Sequence, residues 1–218
     1  MMAEGEEKFG VPMLEAYGMT EAAHQMASNP LPPGTRKPGS VGCGTSVSIA
    51  ILNKAGDLLP AGATGEVSIK GLNVFGGYEG NPEANASSFS NGWFRTGDQG
   101  RIDADGYLTL VGRIKELINR GGEKISPREI DEVLLAHPAV AEAVCFGIED
   151  RVYGEEVAGA VVLSAAATEA ELINHCRSSL ADFKCPKVIY ILGAIPRTAT
   201  GKIQRRNVAA EIARTGKS

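Results

Sequence analysis

No apolar run in this chain of 218 residues approaches the roughly 18 a helix needs to cross a bilayer, so no membrane span is expected. Met1 to Gly10 is acidic and polar, and it lacks the basic-then-apolar order of a secretory signal. The four cysteines (Cys43, Cys145, Cys176, Cys185) form no C-x-x-C pair and have no histidine cluster nearby. That excludes a zinc framework or a disulfide scaffold and predicts thiols in an intracellular, cytoplasmic protein. The C-terminal residues Thr215 to Ser218 carry no Ser-Lys-Leu peroxisomal address. A formal charge of −4 excludes non-specific nucleic-acid binding as the main role. Internal repeats and low-complexity segments are also lacking.

What is present is ordinary globular composition, 43% hydrophobic and 22% charged, in a length that suits one domain or one partial and one small complete domain. The charge is uneven. From Arg197 to Ser218 six basic residues (Arg197, Lys202, Arg205, Arg206, Arg214, Lys217) face one acid, Glu211. Such a run is either a solvated helix face or a local site for a polyanion.

Three textures follow one another. Val11 to Ala16 is a short apolar run read as a strand, followed by a polar turn and a Pro-rich loop from Asn29 to Pro38. From Gly39 to Gly112 the pattern is strand-like. Val47, Ile49 and Ile51 alternate with small residues, Lys54 to Asp57 is a hairpin turn, and Gly65 to Lys70 is a second strand. Asn81-Pro82 starts a helix, and Ala104-Asp105-Gly106 is a hairpin turn between strands. From Arg113 the pattern becomes α+β. Ser126-Pro127-Arg128-Glu129 reads as a capping box opening a helix, and Thr168 to Glu171 as a second. Strands are predicted at Val140 to Ile148, Glu156 to Leu163 and Val188 to Leu192, with a final helix after Lys202. His137 is placed at a helix end and His175 on a solvent-facing helix surface.

Four segments carry candidate chemistry. Pro196-Arg197-Thr198-Ala199-Thr200-Gly201-Lys202 is a loop that can present a point charge to phosphate or carboxylate oxygens. It is not a Walker loop, because Pro196 stands where that motif needs glycine. Alone, it is more often a solvated lysine. Tyr17-Gly18-Met19-Thr20-Glu21 places a ring, a hydroxyl and a carboxylate within one turn, groups suited to a purine face, a phosphate oxygen and a divalent cation. It could equally be a core tyrosine beside surface residues. Asp98 in Arg95-Thr96-Gly97-Asp98 could accept two hydrogen bonds from a ribose diol, and Arg113 in Gly112-Arg113-Ile114-Lys115-Glu116 could reach the same sugar. Turn chemistry or a surface ion pair would use the same residues. Arg120-Gly121-Gly122-Glu123-Lys124 leaves backbone bare for another molecule's chain.

Together, in this order and spacing, these segments strongly resemble the adenylate-forming superfamily, over about Phe9 to Arg214. The resemblance implies a mixed α/β and α+β fold. Residues 1–112 would be the C-terminal part of the large AMP-binding domain with its β-rich, distorted-barrel subdomain, and 113–218 the small C-terminal lid. It implies ATP, Mg²⁺ and coenzyme A as cofactor and co-substrates and a carboxylic acid as acceptor. Tyr17 would stack on adenine within the Gly18-Met19-Thr20 nucleotide segment, with Thr20 on the α-phosphate and Glu21 holding Mg²⁺. Asp98 and Arg113 would hold the ribose. Lys202 would bridge carboxylate and α-phosphate, Lys115 would be the hinge, and Gly121-Gly122 would approach the pantetheine channel. Thr20 to Met26, Ser28 to Pro32 and Gly112 to Ser126 look like the oxalate-CoA ligase branch, in which His24 would lie by the substrate carboxylate. A medium-chain or aryl-CoA ligase, or a truncated non-catalytic nucleotide- or CoA-binding remnant, is the competing expectation. The family's upstream phosphate loop does not occur in these residues, so the isolated chain is expected to show little ligase activity.

Overall fold

A computed structural model describes residues 2–199 and 201–215. Thr200 of the lysine loop and Lys217 of the basic run lie outside the described residues. The chain divides into two units, Met1–Ile114 and Lys115–Ser218.

In the first unit, α1 (Met2–Phe9) precedes an antiparallel sheet of β1 (Ala16–Met19), β2 (His24–Ser28) and β3 (Cys43–Gly44). The strand expected over Val11 to Ala16 lies further along: it starts at Ala16 and is the Tyr17 segment itself. Pairing with β2 begins at Ala16↔Ser28, just after the Glu15 carbonyl takes the Asn29 amide at 3.0 Å, and Val11 is 54% exposed. A second sheet orders β4 (Ser48–Leu52), β5 (Gly65–Lys70), β7 (Trp93–Ile102) and β6 (Phe89–Ser90), with β8 (Leu108–Arg113) also paired to β7. The alternation predicted for β4 breaks at Ala50, which is buried together with Ile51 and Leu52. Helix α2 (Pro82–Ser88) begins as its sequence predicts, with the Asn81 side chain accepting from the Ala84 amide at 3.1 Å.

The β7–β8 hairpin turns at Asp103 to Tyr107. Asp103 Oδ1 accepts from the amides of Asp105 (3.0 Å) and Tyr107 (2.9 Å). Lys37 Nζ spans Asp103 and Asp105 at 2.5 and 2.7 Å and ties the Pro-rich loop to this turn. The hairpin register then sets Asp98 opposite Arg113.

The second unit contains β9 (Ile118–Arg120), β10 (Glu123–Ile125), α3 (Pro127–Leu135), β11 (Val140–Asp150), β12 (Gly154–Leu163), α4 (Glu169–Arg177), β13 (Val188–Ile191) and α5 (Arg205–Thr215). Strand order is β10-β9-β12-β11, with β13 parallel to β12. β12 is covered on both faces, as its uninterrupted apolar run requires. Val157 and Val161 pack with Ile130, Leu134 and Leu172 of α3 and α4; Ala158 and Ala160 pack with Val208 and Ile212 of α5.

Thr168 and Glu171 form a full capping box at α4. The box expected at Ser126 does not form: Ser126 makes no side-chain cap bond, and the Glu129 carboxylate is taken by Lys184 at 2.7 Å. His175 also departs from expectation. It is half-buried, with Nε2 3.0 Å from the Val133 carbonyl and its ring edge-on to His137, because α4 packs that surface against α3. All four cysteines are free thiols. Among the described residues no helix is long and apolar enough to cross a membrane.

Arg205 is the polar pin of this unit. It meets Asp131 Oδ2 at 2.7 Å, Glu116 Oε2 at 3.0 Å and the Cys145 carbonyl at 2.9 Å. Asp131 Oδ1 accepts the Cys145 amide at 2.6 Å. Burial pushes the Asp131 carboxyl up, and the charge of Arg205 opposes that push. Removing the cation strands a buried acid. Arg205→Ala should cost about 3–5 kcal/mol in urea unfolding followed by circular dichroism. The deficit should shrink as pH falls and Asp131 takes a proton, whereas a loss under about 1 kcal/mol would contradict the pin.

The β11–β12 turn has a second acid under strong bias. Asp150 Oδ1 accepts from the amides of Val152 (2.8 Å) and Tyr153 (3.0 Å), and these bonds, with Lys187, lower its pKa to about 2. A depressed carboxyl supports the fold above its ordinary range and loses that support as pH falls through the folded value. Amide protection at Val152 and Tyr153 should therefore be full at pH 5 and drop towards pH 2; a flat protection profile would count against it.

Candidate functional site

Three of the sequence-predicted residues of the first unit meet at an irregularity in β7. Between Glu66↔Gln99 and Ser68↔Arg95, Val67 on β5 faces three residues of β7, Thr96-Gly97-Asp98. Because the irregularity adds two residues, the alternation of burial runs on through it, and Phe94, Thr96 and Asp98 all face inward. Here it is fixed by Thr96 Oγ1, which donates to the Val67 carbonyl at 2.8 Å and accepts the Asp98 amide at 3.1 Å. Glu66 supports it from β5, accepting the Gly97 amide at 3.1 Å and pairing with Arg95 at 2.5 Å.

Asp98 is thereby left only 8% exposed, with its carboxylate between two donors. The Tyr17 hydroxyl donates to Oδ2, and Arg113 Nε reaches Oδ1 at 3.0 Å while its Nη1 donates to the Thr96 carbonyl at 2.8 Å. Burial first, and then the Asp98 charge, raise the Tyr17 pKa, so the phenol stays protonated as the donor. The Tyr17 ring packs against the core cluster that contains Met26, Ile69 and Phe94, as the core reading of this residue expects, and its hydroxyl is a partner of Asp98.

The strand carrying Tyr17 approaches its neighbour closely. A Cβ at Gly18 would lie 2.0 Å from the His24 carbonyl oxygen, so only glycine fits there. The chain then makes a single 3₁₀ turn, Thr20–Ala22, and reverses through Ala23 (φ 50°) and His24 (φ 84°). Thr20 and His24 are exposed and Glu21 is half-buried.

The segment after β5 holds this turn, which sequence reasoning missed. Phe75 N–H donates to the Glu21 carbonyl (2.8 Å), Asn73 Nδ2 to the Ala22 carbonyl (2.8 Å), and the Tyr78 hydroxyl to Glu21 Oε1 (3.0 Å). Tyr78 is itself gripped by Asn85 of α2 through bonds of 2.7 and 2.9 Å. The aromatic pair Phe75 and Tyr78 in the Gly-rich stretch before Asn81-Pro82 is the signal available.

Glu21 has one carboxylate and an exposed hydroxyl beside it, Thr20. Among the described residues no three His, Cys, Asp or Glu side chains gather to form a metal cage. That donor set fits Mg²⁺ only as an ion arriving with phosphates and water, the usual way this cation binds.

The remaining predicted residues belong to the second unit. Lys202 is exposed and ends a hydrogen-bonded turn: Gly201 N–H donates to the Thr198 carbonyl (2.8 Å), and Thr198 N–H to the Lys202 carbonyl (2.9 Å). Arg197 braces it, donating to the Gly201 carbonyl at 3.1 Å and pairing with Glu142 at 2.6 Å. Of the basic run, Arg197, Arg205 and Arg214 are matched by acids, whereas Lys202 forms no ion pair among the described residues. Gly121 and Gly122 form the β9–β10 turn at φ 58° and 98°, and Lys115 lies in the short 3₁₀ turn Ile114–Glu116.

Comparison with known proteins gives both units a family. Residues 1–79 match the AMP-binding enzyme family and residues 129–202 its AMP-binding enzyme C-terminal domain. The chain is 57% identical to a probable CoA ligase (CCL9) of Humulus lupulus, over 96% of this chain and 40% of that protein. It is 52% identical to the oxalate–CoA ligase of Saccharomyces cerevisiae, over 98% and 40%. ATP-bound MatB from Rhodopseudomonas palustris superposes with a TM-score of 0.90 at 36% identity, covering 99% of this chain and 44% of that one. The chain therefore spans about two-fifths of the length of the curated relatives it matches. With both family matches falling on the units that hold Tyr17 and Lys202, this chain belongs to the AMP-binding, adenylate-forming enzyme family and matches its acyl-CoA synthetases.

Proposed function

We propose that this chain supplies the ribose-binding strand and the mobile-lid lysine of an ATP-dependent acid–CoA ligase acting on a small acid such as oxalate. The observation that carries the reading is Asp98, held at a β7 bulge between Tyr17 and Arg113. A nearly buried carboxylate beside an aromatic ring and a guanidinium suits a nucleoside: the diol would exchange into the donor set around Asp98 and the purine would lie along Tyr17.

In the first half-reaction a carboxylate oxygen of the acid attacks the α-phosphorus of ATP, and pyrophosphate leaves. Both reactants are anions, so the step needs positive charge that is not already neutralised. Lys202 offers it from the exposed end of its turn, while Arg197 and Arg205 on either side are committed to acids. Thr20 donates to an α-phosphate oxygen, and Glu21, oriented by Tyr78, would hold a Mg²⁺ ion whose charge would offset that of the phosphates. In the second half-reaction the thiol sulfur of coenzyme A attacks the acyl carbon, AMP departs, and the thiol proton is lost to solvent. Gly121-Gly122 then presents bare backbone to the pantetheine chain, with Lys115 as the hinge of the lid movement. His24, exposed where the chain reverses after Glu21, favours a second carboxylate on the substrate through a charged or donating imidazole.

These roles are testable in a chimera in which residues 1–218 replace the matching two-fifths of the yeast oxalate–CoA ligase. Lys202→Ala should lower ATP–pyrophosphate exchange about 100- to 1000-fold while sparing CoA transfer from supplied oxalyl-adenylate. Equal losses in the two half-reactions would overturn the role. His24→Ala should raise the KM for oxalate about tenfold and leave the KM for ATP in place; an unchanged oxalate KM would remove His24 from the acid site.

A further inference from the structure

We propose that Tyr153 is a positioning residue for the thiol-dependent half-reaction: it fixes the Gly121–Gly122 turn along which the co-substrate's chain would run. This rests on the reading of that turn given above. The Gly121 amide donates to the Tyr153 carbonyl at 2.8 Å, and the Tyr153 ring covers the Arg120 guanidinium with 4.0 Å to its centroid. A Cβ on Gly121 would come within 3.2 Å of that ring, whereas one on Gly122 would meet nothing within 4 Å. One glycine is therefore seated on the tyrosine and the next opens outward.

The seat is itself held. Asp150 clamps the turn carrying Tyr153 through two amides and pairs with Lys187 at 3.2 Å. Arg120 is fixed from its other side by Glu156 at 2.6 Å, and Gly154 pairs with Arg120 across the β9–β12 edge. The ring is 43% exposed and belongs to none of the unit's core clusters, so the packing of the sheet does not depend on it. What depends on it is the placement of two residues free of side chains. Placement errors of this kind are felt in rate more than in stability.

Two measurements test it. In the 218-residue chain, Tyr153→Ala should lower hydrogen-exchange protection of the Gly121 amide about tenfold, with the urea midpoint of the unit nearly unchanged and Tyr153→Phe like the parent. In the yeast chimera, Tyr153→Ala should raise the KM for CoA and slow thioester formation about tenfold, leave ATP–pyrophosphate exchange within about twofold, and be rescued by Tyr153→Phe. Unchanged Gly121 protection and CoA kinetics would overturn the assignment, as would equal losses in both half-reactions, which mark a general structural role. An unsubstituted chimera that exchanges pyrophosphate but forms no thioester would instead overturn the underlying reading of the turn.

Discussion

A carboxylate almost removed from water must be surrounded by donors, and in the first unit that requirement falls on Asp98. Leaving one such group without partners costs several kcal/mol, comparable with much of a domain's net stability. The solution is distributed: a phenol from β1, a guanidinium from β8 and a backbone bulge in β7 stabilised from β5. Each contributor comes from a different part of the sequence, so the sheet must be complete before the carboxylate is satisfied. In the proposed function the same carboxylate would also receive a sugar diol, so stability and recognition would draw on one charge.

The second unit repeats the principle with the signs exchanged. Arg205 is the desolvated ion, and a turn after β8, helix α3 and strand β11 provide its acceptors. Because Arg205 follows Lys202 by three residues, this pin also settles where the lysine loop leaves the core. Arg197 performs the matching task at the other end through Glu142. Cations that read in sequence as one basic run are thus divided by environment: Arg197 and Arg205 are pins, Arg214 makes a surface pair, and Lys202 and Arg206 stay exposed without an ion pair among the described residues.

Much of this was legible in sequence, and the parts that were not share a cause. The αβ rhythm of the second unit, the Asn81 and Thr168 caps and the Asp105-Gly106 hairpin are local signals, decided by residues within a turn of one another. Ser126-Pro127-Arg128-Glu129 carried an equally good local signal, yet Glu129 took a distant partner, Lys184. The strand around Tyr17 was displaced for a similar reason, because pairing with β2 and not apolarity decides where it begins. At the site, Tyr17, Asp98 and Arg113 could be named from motif order. Their contact depends on a bulge whose extra residues no periodicity announces. Arg205 and Tyr153 meet partners dozens of residues away, and nothing local marks them.

The anchored turn before Lys202 also bears on the entropy of ligand capture. Ordering a free loop around an anion would cost about 1–2 kcal/mol of backbone entropy for each residue fixed. Thr198 and Lys202 already exchange hydrogen bonds, with Arg197 and Arg205 held on either side. What is left to freeze is chiefly the lysine's own side-chain torsions, about 2 kcal/mol in all. In the role proposed for Lys202, a charge presented in this way would be engaged and withdrawn as a unit, without the chain that carries it folding and unfolding at each turnover.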